Sequence, residues 1–268
     1  MTPDVAARPP LDADRLADAR AAGTFRVEVV EALPSTNAVV TQRARAGEPE
    51  GLVVVTEHQT SGRGRLDRTW QTPPRAALTF SVLLRPQVPP ADWPWLPLLT
   101  GHALARTLRD AGVTAAGVKW PNDVLVGDLK VAGILVERVE TPTGPAAVVG
   151  IGLNVSTTAT ELPVATATSV ALALGTEPDR TVLLLAVLAG LRGEYDAWRT
   201  GGGDALRAAY AAACVTVGRT VRVELPSGEL LTGPATGIDR GGRLLVRGPH
   251  GETAVGAGDV VHVRAVDG

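Results

Sequence analysis

Of the 26 basic residues in this chain only two are lysines, Lys119 and Lys130, eleven positions apart. Arginine spreads its charge over a planar fork, whereas lysine is a compact point charge. Either a site in this segment needs that ammonium, or the arginine bias is compositional and the pair arises by chance. The segment is GVKWPNDVLVGDLKVAGILVE, residues 117–137. Gly127-Asp128 within it is a two-residue hairpin signal between apolar runs. Such a turn sets Val126 opposite Leu129, Leu125 opposite Lys130, Val124 opposite Val131 and Asp123 opposite Ala132. Asp123 and Lys130 then share one face as diagonal neighbours, roughly 7–8 Å apart at the backbone. A carboxylate and an ammonium so placed either form an exposed salt bridge or converge on one ligand. Lys130 also interrupts an apolar strand, which costs free energy unless an anion meets it.

A second cationic element is EHQTSGRGRLDRTW, residues 57–70, which follows the apolar run Leu52–Val55. Arg63, Arg65 and Arg68 cannot be core residues. Gly62 and Gly64 let backbone N–H groups turn toward an anion, as nests do. A nucleic-acid-binding arginine loop and a plain solvated turn are the other readings. Ser35-Thr36-Asn37 is either an ordinary helix N-cap or a polar cluster at a positive helix end, able to bond a small neutral polar group. Gly150 and Gly152 weaken a strand, so they mark a bulge or the close approach of a ligand, with Asn154 two residues on and on the same face. Together these pieces suit the joining of a carboxylate to a nucleotide phosphate. Both reactants are anions, and arginine forks and a lysine must neutralise them at once.

The elements that position these residues follow from the pattern. Helices are predicted over Leu11–Ala22, from Pro34-Ser35-Thr36-Asn37 to about Ala46, over Trp95–Ala111, Thr181–Trp198 and Asp204–Ala213. Strands are predicted over Phe25–Glu31, Leu52–Glu57, Ala77–Leu84, Val124–Val126, Leu129–Val136 and Ala146–Val155. Hairpins mixed with long helices give an α+β fold. From Gly218 to Arg264 only short strands between turn clusters fit, which predicts a small β-barrel of about 50 residues.

Composition narrows the classes. A chain of 268 residues with 45% hydrophobic content can bury one large core, or a large and a small one. A formal net charge of −2 argues against a general nucleic-acid binder. The single cysteine, Cys214, excludes an internal disulfide and fits a reducing compartment. The four histidines have no metal-ligand spacing. The N-terminus lacks the apolar stretch of a signal peptide, and the run Val182–Leu191 is too short to span a bilayer. The expectation is a cytoplasmic protein with no membrane partner.

Five blocks, in order, resemble the signature blocks of biotin protein ligases. They are Ser35-Thr36-Asn37, Glu57-His58-Gln59 through Gly62-Arg63-Gly64-Arg65, Lys119-Trp120-Pro121-Asn122-Asp123, Lys130 through Glu137, and Gly150 through Val155. The resemblance covers roughly residues 25–264. It implies a mixed sheet flanked by helices, similar to class II synthetases, over residues 25–215. Before it lie a leader and short helix at 1–24, and after it an SH3-like β-barrel at 216–268. It implies that biotin and ATP, with Mg²⁺, give biotinyl-5′-AMP, and that biotin then passes to a lysine of a biotin carboxyl carrier domain of acetyl-CoA carboxylase. Ser35, Thr36, Asn37 and Gln59 would hold the fused rings. Gly62, Arg63, Gly64 and Arg65 would form the loop over carboxylate and phosphate, and Lys130 would meet both. Arg63, Arg65 and Lys130 would be the catalytic groups. Gly133 and Leu135 would line the biotin pocket, with Gly150 and Gly152 at its wall. Trp70 would pack on adenine after loop closure, and Arg65, Arg68, Lys119, Asn122, Asp123, Lys130 and Asn154 would lie near the nucleotide, Asp123 also near magnesium.

Leu66-Asp67 departs from the more basic or glycine-rich continuation of the family loop, which leaves the role of Arg68 open. About 24 residues before the first catalytic strand are too few for the helix-turn-helix repressor domain that some members carry. Two other functions compete. Lipoate or octanoyl transfer uses a similar fold, but the GRGR loop and C-terminal barrel speak against it. A nucleic-acid-binding regulator is disfavoured by the net charge and the lack of a DNA-reading helix. The expected partner is the carrier domain and not nucleic acid, with the chain a monomer or a weak ligand-dependent homodimer.

Overall fold

The runs LVVVTEHQ and ALTFSVLL are apolar or small at most positions, and a strand reads that way when both its faces are covered. The structure, a computed structural model, describes residues 8–21, 25–65, 68–201, 203–224, 228–249, 251–256 and 259–262. Those two runs, β2 (Leu52–Gln59) and β5 (Ala77–Leu84), lie inside a seven-stranded sheet. Beside β2 is the edge strand β1 (Arg26–Leu33), and β1 and β2 are parallel. Beyond β5 come β9 (Ala146–Asn154), β8 (Leu129–Val139), β7 (Asp123–Val126) and β6 (Ala116–Lys119), all antiparallel to their neighbours.

Period-two alternation sends the two faces to different cores. Val53, Val55, Phe80, Val82, Val149 and Ile151 join the main core with α3 (Trp95–Asp110), α5 (Arg180–Arg199) and α6 (Gly203–Ala213). Leu52, Val54, Leu83 and Val148 face the other way, onto Val40 and Ala44 of α2 (Thr36–Arg45). The N-terminal segment is part of the main core. Leu11, and Leu16 of α1 (Ala13–Ala21), are buried in it. A buried ion pair fixes the segment: Arg180 Nη1 donates to Glu57 Oε2 (2.7 Å), Arg180 Nη2 to Pro9 O (2.7 Å), and Leu11 N to Glu57 Oε1 (2.5 Å).

A five-stranded antiparallel sheet follows, formed by β10 (Thr220–Glu224), β11 (Leu230–Ile238), β12 (Leu244–Gly248), β13 (Gly251–Val255) and β14 (Asp259–His262) in the order β13-β12-β11-β10-β14. Its apolar residues, among them Val221, Val223, Leu244 and Val246, are continuous with the main core. Two indoles bond to it, from the start of α3 and from the residue after Lys119: Trp95 Nε1 donates to Arg240 O (2.7 Å) and Trp120 Nε1 to Gly242 O (2.9 Å).

Helix and strand boundaries fall within a few residues of expectation. The end of the first predicted helix, Ala22, and parts of the predicted turns at Pro226-Ser227 and His250 lie outside the described residues. Pattern reading missed β6, the short α4 (Val170–Leu174), and β3 (Gly62–Arg63) pairing with β4 (Thr69–Trp70) inside the arginine loop. The hairpin register needs correction. Val126 faces Leu129 and Leu125 faces Lys130 as expected, but a bulge between Val124 and Leu125 sets Val124 opposite Ala132 and Asp123 opposite Gly133. Simple alternation cannot anticipate a bulge, because the extra residue sits in one strand alone.

Candidate active site

Along the α2 face of the sheet the apolar packing stops where the strands reach the start of that helix. The positions that follow Leu83 and Val148 in alternation are Ser81 and Thr79 on β5 and Gly150 and Gly152 on β9, and the paired positions on β8 are Leu135 and Gly133. Small and polar side chains cannot fill the space, and a cavity of about 150 Å³ opens there.

One end of the cavity is polar and neutral. Ser35 caps α2 by accepting from Ala38 N. Gln59 Oε1 accepts from Thr36 N (2.9 Å) and Thr36 Oγ1 (3.2 Å), which leaves Nε2 as its remaining donor. Ser81 Oγ lies 2.8 Å from Thr36 Oγ1 and 2.6 Å from Asn37 Oδ1. Asn37 Nδ2 donates to Glu137 Oε2 (2.7 Å) and to Leu135 O (3.4 Å). The contact with Gly150 is so close that a Cβ there would stand 2.2 Å from Asn37 Oδ1.

The other end is cationic. Lys130 Nζ is 2.6 Å from Asp123 Oδ1, so the anion that an interrupting lysine requires is present, and the two groups pair directly. Three N–H bonds on the ammonium leave donors for a ligand beside that pair. Lys130 is held at its backbone too: its N–H donates to Thr166 O and its carbonyl accepts from Thr168 N, each at 2.8 Å. Arg65 Nη1 donates to Asn122 Oδ1 (2.9 Å), and Asn122 is itself strapped to β8 through Ile134 O and Ile134 N, both at 2.9 Å. The more exposed Arg63 reaches both Glu137 oxygens at 3.3 Å. Gly64 N donates to Arg68 O (2.6 Å) across the loop.

The structure thus brings Ser35, Thr36, Asn37, Gln59, Arg63, Gly64, Arg65, Arg68, Trp70, Lys119, Asn122, Asp123, Lys130, Gly133, Leu135, Gly150 and Gly152 to one cavity. Gly62 lines the adjoining depression. Asn154 is not on the lining; it is buried, and its Nδ2 donates to Thr168 O (3.0 Å). Trp70 lies against the two glycines expected at the biotin pocket. A Cβ on Gly152 would come within 2.4 Å of its ring and one on Gly133 within 3.5 Å.

Magnesium finds no donor set here. Asp123 is the one carboxylate among the described residues lining the cavity, it is engaged by Lys130, and among the described residues no three His, Cys, Asp or Glu side chains cluster for a metal. The residues do not fit a protein-held ion.

A model of the Biotin/lipoate A/B protein ligase family matches residues 29–154, and one of the Biotin protein ligase C terminal domain matches residues 216–263. The Biotin--[acetyl-CoA-carboxylase] ligase of Mycobacterium tuberculosis is 40% identical over 265 residues, which is 96% of this chain and 97% of that protein. The chain belongs to the biotin protein ligase family. The enzyme of the same name from Paracoccus denitrificans is 33% identical, with 84% of this chain and 96% of that one covered. Among solved structures, the biotin protein ligase from Aquifex aeolicus in complex with biotin and ATP superimposes with a TM-score of 0.79 at 26% identity, over 90% of this chain and 99% of that one.

Several residues that shape this ligase's cavity escaped the sequence reading. Thr79, on the lining, and Ser81, bonded to Thr36 and Asn37 behind it, are polar positions two apart in a strand otherwise apolar on both faces, which is itself a signal of a polar patch on one side. Glu137 closes a block that was recognised but had no role. Val260, on the last described strand, reaches the cavity from the small sheet, and nothing in its local pattern marks it. Beside it, His262 accepts from Arg219 Nη1 at Nδ1 (3.3 Å) and lies 3.1 Å from Thr216 Oγ1 at Nε2, while Thr216 Oγ1 accepts from Trp120 N (3.1 Å). Burial first, then the charges of Lys119 and Arg219, pulls the His262 pKa down to about 4. No helix among the described residues is long and apolar enough to cross a membrane.

Proposed function

We propose that this ligase joins biotin to ATP as biotinyl-5′-AMP and then transfers biotin to a lysine of a biotin carboxyl carrier domain. The observation that carries this reading is the joining of two unlike ends in one cavity. The neutral end, formed by Thr36, Asn37 and Gln59 with Ser81 bonded behind them, offers donors and acceptors without net charge, as a ureido ring requires. The cationic end, with Lys130, Arg63 and Arg65, faces where a carboxylate and a phosphate would meet.

In the first step a biotin carboxylate oxygen attacks the α-phosphorus and pyrophosphate leaves. Lys130 offsets the charge of both reactants while keeping Asp123 as its anchor. Arg65, steadied on Asn122, and Arg63 close over the mixed anhydride and exclude water. In the second step the neutral amine of the carrier lysine attacks the acyl carbon, an amide forms and AMP leaves. Trp70 would turn from the glycines to cover adenine. Magnesium would arrive on the nucleotide phosphates, which supply the oxygens it prefers. A cytoplasmic location, and a monomer or weak ligand-dependent homodimer without nucleic acid, complete the reading.

The test is incubation with biotin, ATP and a carrier domain, followed by a streptavidin blot. Labelling of one carrier lysine is expected; no labelling, with lipoate or octanoate attached instead, would overturn the proposal in favour of the sister activity.

A further inference from the structure

We infer that Glu137 is a positioning residue that sets the amide polarity of the biotin-binding end and ties it to the arginine loop, an inference that rests on the ligase reading above. Glu137 lies on β8 behind the cavity; it lines the outer depression under Arg63 and not the cavity itself. One of its oxygens accepts from Asn37 Nδ2 at 2.7 Å, and both lie 3.3 Å from Arg63 Nη2.

An ionised carboxylate only accepts hydrogen bonds. Facing Asn37, it selects the amide orientation with nitrogen outward and oxygen inward. Leu135 O, also only an acceptor, draws the same nitrogen. The oxygen is thereby kept against Gly150 and Ser81, on the cavity side. Were the amide reversed, its oxygen would face the Glu137 carboxylate and the Leu135 carbonyl, three acceptors with no proton between them. Glu137 therefore decides that the wall of this pocket presents an acceptor at Asn37, which suits a ligand N–H. The same carboxylate holds the Arg63 guanidinium, so one side chain links the pocket for the ring system to the loop that closes over the acid.

The link is tested by a double-mutant cycle on the full chain, with biotin binding read by titration calorimetry. Glu137→Ala is expected to weaken biotin by roughly 10–100-fold, the effect of losing a charge-assisted bond and freeing a buried amide. If Glu137 acts through Asn37, the Asn37→Ala Glu137→Ala double variant binds no more weakly than Asn37→Ala alone. At saturating biotin the KM for ATP should move much less than the affinity for biotin. Additive losses in the double variant, or biotin binding by Glu137→Ala equal to that of the unaltered chain, overturn the inference. Should Glu137→Ala fail to fold, Glu137→Gln decides, because its amide oxygen can still accept from Asn37. A loss of only about two- to fivefold supports the inference, and a loss as large as that of Asn37→Ala overturns it. Absence of biotin binding by the unaltered chain would instead remove the ligase reading itself.

Discussion

The Trp70 indole rests on the bare Cα of Gly152, so closely that an added Cβ would stand 2.4 Å from Cε2 and 2.7 Å from both Cζ2 and Nε1. Among the described residues the buried indole nitrogen has no hydrogen-bond partner, a state that costs about 1–3 kcal/mol. The strand pair with Gly62 holds the Trp70 backbone, and the glycines and Lys130 receive its ring. Gly152→Ala should therefore expel the ring and loosen the loop, with little effect on the core. Trypsin cleavage after Arg63, Arg65 or Arg68 in the ligand-free protein should become faster, while the urea midpoint moves little. Unchanged cleavage would show that Trp70 does not anchor the loop.

Gly150→Ala makes the contrasting case. The atom it meets belongs to Asn37, which Ser81, Glu137 and Leu135 all hold. Because that neighbour cannot swing aside, the start of α2 must shift, and overpacking of this kind typically costs about 1–3 kcal/mol. Both the urea midpoint and biotin affinity should fall, the latter by at least about tenfold. A variant that keeps its biotin affinity would place the ring system elsewhere in the cavity.

Lys130→Ala should lower the rate of biotinyl-adenylate formation by roughly 10²–10³-fold. Two anions would then meet beside Asp123 with no shared countercharge. Pyrophosphate exchange measures this step without the carrier, and near-normal exchange would remove Lys130 from the chemistry.

Biotin should suppress trypsin cleavage between residues 60 and 71. Few apolar side chains of the loop are available to offset an ordering cost of about 1–2 kcal/mol per residue. A bound carboxylate adds charge-assisted partners for Arg63 and Arg65, at roughly 1.5–3 kcal/mol per bond. Arg65→Gly also removes the tie to Asn122, so the anhydride should escape and label bystander lysines. Equal cleavage with and without biotin would rule out a closing loop.

Acid should weaken the fold through His262. In the unfolded chain this histidine takes a proton near pH 6.5, but in the folded one only near 4, because burial and the facing Arg219 and Lys119 disfavour it. The unfolded state binds more protons between those values, so stability falls as pH drops from about 6.5 toward 4. Glu28, Glu161, Asp179 and Glu194, all held below their ordinary values by arginine, histidine and backbone partners, add their losses only at lower pH. Urea unfolding at about pH 7.5 and pH 5 should show the loss, and His262→Gln should flatten it. The same slope in both proteins would assign the effect to another group.

Much of this site could be read from residue order because its parts carry local signals. A triplet that caps a helix, two glycines in a strand, glycines alternating with arginines, and a lysine in an apolar run each violate a local rule for a reason that the cavity supplies. What could not be read depends on contacts between distant segments. The Val124–Leu125 bulge, the Asn37–Glu137 bond and the docking of Trp120 on Gly242 join residues whose separation in sequence gives no period to detect. Asn154, which alternation sets with Gly150 and Gly152, donates its amide to Thr168 O at the strand's end, another contact that residue order does not foretell.

The Arg180–Glu57 pair has a practical consequence for anyone trimming this chain. Glu57 stands two residues before Gln59, and its two oxygens hold the N-terminal segment at Leu11 and helix α5 at Arg180. A version cut back to Arg26 would remove Leu11 and Leu16 from the core, take away the Pro9 carbonyl that accepts from Arg180 Nη2, and leave a sealed ion pair open to water on one flank. The smallest useful domain therefore starts well upstream of its first strand, and an affinity tag placed against residue 8 would press on the seam that joins this segment to helix α5.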